Sequence, residues 1–236
     1  MDSPAHSSKS KSEQKTFYVT LSDFLRNNRV AVLILFAVIV LAVIGVAVGT
    51  AIKDGQTKAA AASLEKLEAD YATYSSEQDA TKKAELEKAF VVSADTIAKQ
   101  WNGNYAAQKA IVYKAKIAES KKDWAGAEKA WLSLLSSSSD SYLAPVALQG
   151  AASAAEEQGA FDRSLADYRK LVDKYASKTI GIPHAYFSIG RLSEGTKDYA
   201  GALVAYQKVA STWPESDWTK LATDRIIFLK SSGLAK

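Results

Sequence analysis

The chain holds 236 residues, with 30 Lys+Arg against 26 Asp+Glu, a formal net charge of +4, and 47% hydrophobic residues. That length allows one domain with an appendage, and four prolines beside so much apolar content exclude a collagen-like, mucin-like or wholly disordered chain. The absence of cysteine and the presence of only two histidines, His6 and His184, exclude disulfides, thiolate chemistry and a multi-histidine metal centre, and the evenly mixed charge argues against a nucleic-acid partner.

Residues 1–16 are mostly Ser, Lys and Ala and read as a disordered tail, the start of a short cytoplasmic segment over 1–30. Within it, Phe17 to Asn28 has Phe17, Leu21, Phe24 and Leu25 on one helical face, as in a helix lying at a membrane interface. Ala31 to Ile52 carries no charged residue. As a helix it would be about 33 Å long, against a hydrocarbon core of about 30 Å. A buried core helix would show a polar side, and a cleaved leader would have a shorter apolar run. A retained transmembrane signal-anchor over 31–52 fits best. Arg26 and Arg29 lie close on its N-terminal side, with Lys9, Lys11 and Lys15 behind them, whereas Lys53, Lys58 and Lys66 are sparser on the other. The positive-inside rule then puts the N-terminus in the cytoplasm and everything past about residue 53 outside it. Gly45 and Gly49 form a GxxxG, through which two copies could approach as a homodimer.

Residues 53–104 read as a membrane-proximal helical hairpin. Its first arm spaces Leu64, Leu67, Tyr71 and Tyr74 as one apolar face, and its second, from about Asp79 to Trp101, does the same with Leu86, Phe90, Ile97 and Trp101. Asn102-Gly103-Asn104 closes it as a turn.

From Tyr105 the sequence repeats. KKDWAGAEKAW at Lys121 to Trp131, QGAFDRSLADY at Gln158 to Tyr168 and TKDYAGALVAY at Thr196 to Tyr206 share a turn, an aromatic, a small residue and a second aromatic. Anchored on Ala127, Ser164 and Ala202, the copies are 37 and 38 residues apart. A helix is expected before each copy, over roughly 105–121, 142–158 and 183–194, so the unit is helix, turn, helix. Asp217 to Lys230 is expected to cap the array, with Trp218, Leu221, Ile226 and Leu229 covering the final unit.

On these residues the chain resembles the tetratricopeptide repeat family over 105–215. The family's small residue in the first helix matches Ala115, Ala152 and Gly190. Its small residue at the helix crossing matches Ala127, Ser164 and Ala202, and its second-helix aromatic matches Trp131, Tyr168 and Tyr206. The closing proline is present only as Pro214, and Ile111, Leu148 and Tyr186 replace the leading tryptophan. The resemblance implies an all-α repeat solenoid over 105–215; the apolar run places one N-terminal transmembrane helix before it, and 216–236 reads as capping helix and tail.

No Walker-type loop, GxSxG or HExxH occurs, and the carboxylates sit on solvated helical faces, so neither an enzyme nor a cofactor is expected. The resemblance implies a groove lined by the first helix of each unit. Carried over, its lining is Lys109, Val112, Lys116 and Glu119, then Val146, Gln149, Ser153 and Glu156, then His184, Phe187, Arg191 and Glu194. Each of these also reads as ordinary surface or as packing between units. The mixed apolar and charged character suits a protein or peptide partner. The whole arrangement resembles bacterial inner-membrane tetratricopeptide proteins that assist the secretion translocon and the periplasmic chaperone network. That implies an inner-membrane protein with a periplasmic domain, acting as an adaptor or scaffold whose partner is a translocon component or chaperone. The alternative is a self-associating structural or envelope-assembly protein.

Overall fold

The structure, a computed structural model, describes residues 18–236. The expected tail at 1–16, and Phe17 at the head of the interfacial helix, lie outside the described residues. The chain divides into two units, one up to Lys58 and one from Ala59 to Lys236.

In the first unit residues 18–27 form helix α1, and Asn28 closes it through its amide Nδ2, which donates to the Phe24 carbonyl at 3.0 Å. Helix α2 spans Arg29–Ser76 and enters the second unit at Ala59. Over 31–52 its side chains are exposed almost without exception; Leu33 is 66% and Leu41 67% accessible. It is the one helix among the described residues that is long and apolar enough to cross a membrane.

In the second unit the end of α2 is followed by α3 (Ala80–Gln100), α4 (Tyr105–Ser120), α5 (Trp124–Ser137), α6 (Ala144–Glu157), α7 (Phe161–Tyr175), α8 (Ile182–Gly195), α9 (Tyr199–Thr212) and α10 (Asp217–Ser231). No strand occurs among the described residues. Local chemistry sets the starts. Asp79, Asn104, Asp123, Asp198 and Ser216 each accept a backbone N–H of the first turn, at 2.9 to 3.3 Å. Helices α6 and α8 instead carry Pro145 and Pro183 in the first turn, where the missing N–H costs nothing. Between the helices of each unit one residue turns left-handed at the same register: Lys122 (φ 58), Gly159 (φ 73) and Lys197 (φ 64).

The core is a chain of clusters, each shared by neighbouring helices. The hairpin residues Leu64, Leu67, Tyr74, Phe90 and Ile97 gather with Ala106, Ala110 and Ile117 of α4. The crossing seats Ala127, Ser164 and Ala202 are all fully buried, and so are Ala115 and Ala152. Gly190 lets α9 approach closely, since a Cβ there would lie 2.5 Å from the Tyr206 ring. At the end of the array Ala222 and Leu229 are buried, whereas Leu221 is 47% exposed, so it does not cover the final unit as the sequence suggested. The cause is register: α10 repeats α8 with an offset of 34 residues, which places Leu221 where Phe187 stands, on the outward face of a first helix.

Two substitutions probe this packing. Gly190→Ala should lower the unfolding free energy by about 1–3 kcal/mol through overpacking against Tyr206. Ser164→Ala should raise it by about 1 kcal/mol, because the Ser164 hydroxyl is buried without a hydrogen-bond partner. Thermal unfolding of the full chain in detergent reads both.

Candidate functional site

The twelve expected groove residues fall on α4, α6 and α8, the first helices of the three units, in register at offsets of 37 and 38 residues. Their surroundings differ.

A ladder of ion pairs crosses this face. Glu156 of α6 receives a two-pronged bond from Arg191 of α8, with Nη2 to Oε2 at 2.7 Å and Nη1 to Oε1 beside it. One unit further on, Glu194 takes Nε and Nη2 of Arg225 on α10, and the Tyr206 hydroxyl donates to it at 3.1 Å. The Glu156 bond holds the Arg191 guanidinium above its ordinary pKa. Both arginines are part exposed, so solvent screening holds each pair to below about 1 kcal/mol. Their effect is on geometry: a forked guanidinium fixes the relative placement of two successive first helices.

The ladder has a gap. In register with Arg191 and Arg225 stands Ser153, which is exposed and cannot reach across as an arginine does. Glu119, in register with Glu156 and Glu194, accepts the Trp131 indole N–H at 2.7 Å instead. Beside the gap, Lys116 is exposed and makes no ion pair among the described residues, and Val146 is 48% exposed. Lys109, further back, is held 3.8 Å from the Glu68 carboxylate and over the Tyr113 ring.

Val112 does not line the groove. It is buried and packs with Ala115, Trp131 and Leu134, because an apolar side chain at that position is drawn into the cluster around Trp131. Phe187 is half-buried, its ring 5.5 Å from Tyr206 and 5.2 Å from Trp218. With Arg191 and Glu194 it borders a cavity of about 430 Å³ that Tyr206 and Arg225 complete. Those last two were not among the expected residues. The signal for Arg225 was the 34-residue offset from Arg191.

His184 sits between units. Gln149 Nε2 lies 3.3 Å from its Nδ1, Ser188 Oγ 3.4 Å from its Nε2, and the ring is 4.4 Å from that of Trp218. Burial, and then the positive charge of Arg191, push its pKa below the ordinary 6.5. The Gln149 bond joins α8 to α6, whereas the Ser188 bond lies within α8.

The tetratricopeptide repeat family model matches residues 184–216, which are α8, α9 and the turn after them. The chain is similar to a tetratricopeptide repeat-containing protein of Treponema pallidum (strain Nichols), at 28% identity over 133 residues, 56% of this chain and 55% of that one. It thus spans about half the length of that curated relative. Among solved structures it is similar to the TPR2B domain of yeast Sti1 in a complex described as pHsp70, at 16% identity and a TM-score of 0.44, over 53% of this chain and 97% of that one. The family match thus covers one helix-turn-helix unit of the array, α8 with α9.

The depressed pKa of His184 gives a pH dependence with a defined sign. Below about pH 6.5 the unfolded chain takes up the proton first, so folding stability falls as pH drops from 6.5 toward the lower folded value. Thermal midpoints between pH 7 and pH 5 should show that fall in the native chain and less of it in His184→Gln.

Proposed function

We propose that the chain is a membrane-anchored adaptor that holds a polypeptide partner along the face of α4, α6 and α8. The observation that carries this reading is the gap in the ion-pair ladder. Elsewhere on the face the charges are paired within the protein, and a ligand would have to displace them. At Ser153 nothing needs displacing: Lys116 offers an unpaired ammonium, Val146 an apolar contact, and Ser153 a small exposed seat. An apolar side chain with a carboxylate one helical turn away complements that set. No strand edge is available on this all-helical face, so recognition runs through side chains.

The apolar surface of 31–52 supports the anchor. A helix with Leu33, Leu41 and Val46 each about two-thirds exposed and no polar side has no stable place in water. In this reading α2 crosses a bacterial inner membrane, α1 lies on the cytoplasmic side, and the repeats face the periplasm beside the translocon and its chaperones. The partner is then an exported polypeptide or a component of that machinery.

Two experiments test the two halves. A photoreactive residue at Val146 should capture one dominant polypeptide in cells, and one at Lys220, on the outer side of α10, should not. Equal capture at both sites would remove the groove. The natural chain has no cysteine, so single cysteines report topology directly. A membrane-impermeant maleimide should label Ser231→Cys in spheroplasts and label Ser22→Cys only after lysis. The reverse pattern would overturn the orientation.

A further inference from the structure

On the opposite side of the repeats, formed by the second helices, ion pairs brace some intervals and leave others open. Between α3 and α4, Asp95 pairs with Lys114 at 2.5 Å, and Glu87 pairs with Lys121, just past α4, at 2.6 Å. Between α5 and α7, Glu128 takes Arg163 Nε and Nη2, both at 3.1 Å, and the Gln158 amide at 2.7 Å. Between α7 and α9 the residues in register with Glu128 and Arg163 are Leu165 and Gly201. Neither can carry an ion pair, so this interval has no brace of that kind. A groove of about 810 Å³ opens there, twice the roughly 400 Å³ of the depression lined by α3, α4 and α5.

The groove is apolar inside and cationic at its edge. Val172 of α7, Tyr186 and Ile189 of α8, and Ala205 of α9 line it, and Val204 stands in its wall at 66% exposure. Arg169 of α7 and Lys208 of α9 lie on its two sides, and a single lining carboxylate, Asp173, stands on α7 one turn from Arg169. None of these three makes an ion pair among the described residues, so two positive charges are open against one negative. Ala200, Gly201, Val204 and Ala205 give the α9 wall small side chains, which permit another helix to approach closely.

We infer that the α7–α9 groove is a second docking site, distinct from the face of the first helices, and that its occupant is an acidic amphipathic helix of a partner protein. Its apolar stripe would lie on Ile189, Val172 and Val204, and its flanking carboxylates would meet Arg169 and Lys208. A helix fits where an extended strand does not, because the groove walls are helices with their backbone groups already paired. This site would let the adaptor hold two partners at once, one on each side of the repeats.

The test uses the full chain in neutral detergent as bait. The probe is a displayed library of 18-residue helices with leucine at i, i+3, i+4 and i+7 and Glu, Gln or Lys randomised at the flanks. Selection should enrich Glu over Lys at the flanks. Val204→Glu, at a site exposed enough to leave folding intact, should weaken capture of the winning helix about ten-fold or more. Arg169→Glu with Lys208→Glu should weaken it likewise and turn the preference toward Lys. Four results would overturn the inference. One is no enrichment, or enrichment of Lys. Another is equal capture by Val204→Glu. The third is a native dimer that Val204→Glu converts to monomer, which would make the occupant a second copy. The fourth is Val204-dependent binding to phosphatidylglycerol vesicles, which would make it a lipid surface. Capture at Val146 on the other face should be unchanged by all these variants, so failure here and failure of the proposed adaptor groove are separable.

Discussion

The constraint on which the structure rests is that a helix of 14 to 16 residues cannot bury two faces by itself. Each helix in the repeats therefore spends one face on its hairpin partner and another on the next unit. The first contact demands closeness, which explains why Ala127, Ser164 and Ala202 are small and fully buried. The second demands volume, which Trp131, Tyr168 and Tyr206 supply. Ser164 keeps the size and accepts an unpaired hydroxyl, a mark that volume outranks polarity at that seat.

Once stacking fixes the register, polar residues repeat with it, and both proposed docking sites lie where the repetition fails. Glu156 and Glu194 find arginines one unit on, and Glu119 finds only Ser153. On the opposite side Glu128 finds Arg163, and the next interval offers Leu165 and Gly201. Each failure leaves charge unpaired and apolar surface open on a rigid support, and rigidity is what keeps such surface available to a partner rather than collapsing it.

Much of this was legible in the sequence. The aromatic and small-residue period located the helices and their crossings, and the spacing of Leu64, Leu67, Phe90 and Ile97 anticipated the first cluster. Those signals are legible because burial is periodic. The site was harder to read. Val112 carries the period of a groove position, yet an apolar side chain moves inward when a large ring such as Trp131 offers it contact. Leu221 looked like core because its offset from Phe187 is 34 residues rather than 37 or 38, which hides the match of α10 to a first helix. Glu156 and Arg191 were both expected at the groove, but their bond to each other depends on side-chain reach between units, which a linear pattern does not encode.

The most direct test of the account is to fill the gap. Ser153→Arg places the ladder's guanidinium opposite Glu119. If the open interval between α4 and α6 is where a partner polypeptide lies, this variant should keep or raise the thermal midpoint, by up to about 2 °C, while abolishing photocapture from Val146. Undiminished capture in a folded Ser153→Arg chain would contradict the claim that the gap in the ladder is the binding site.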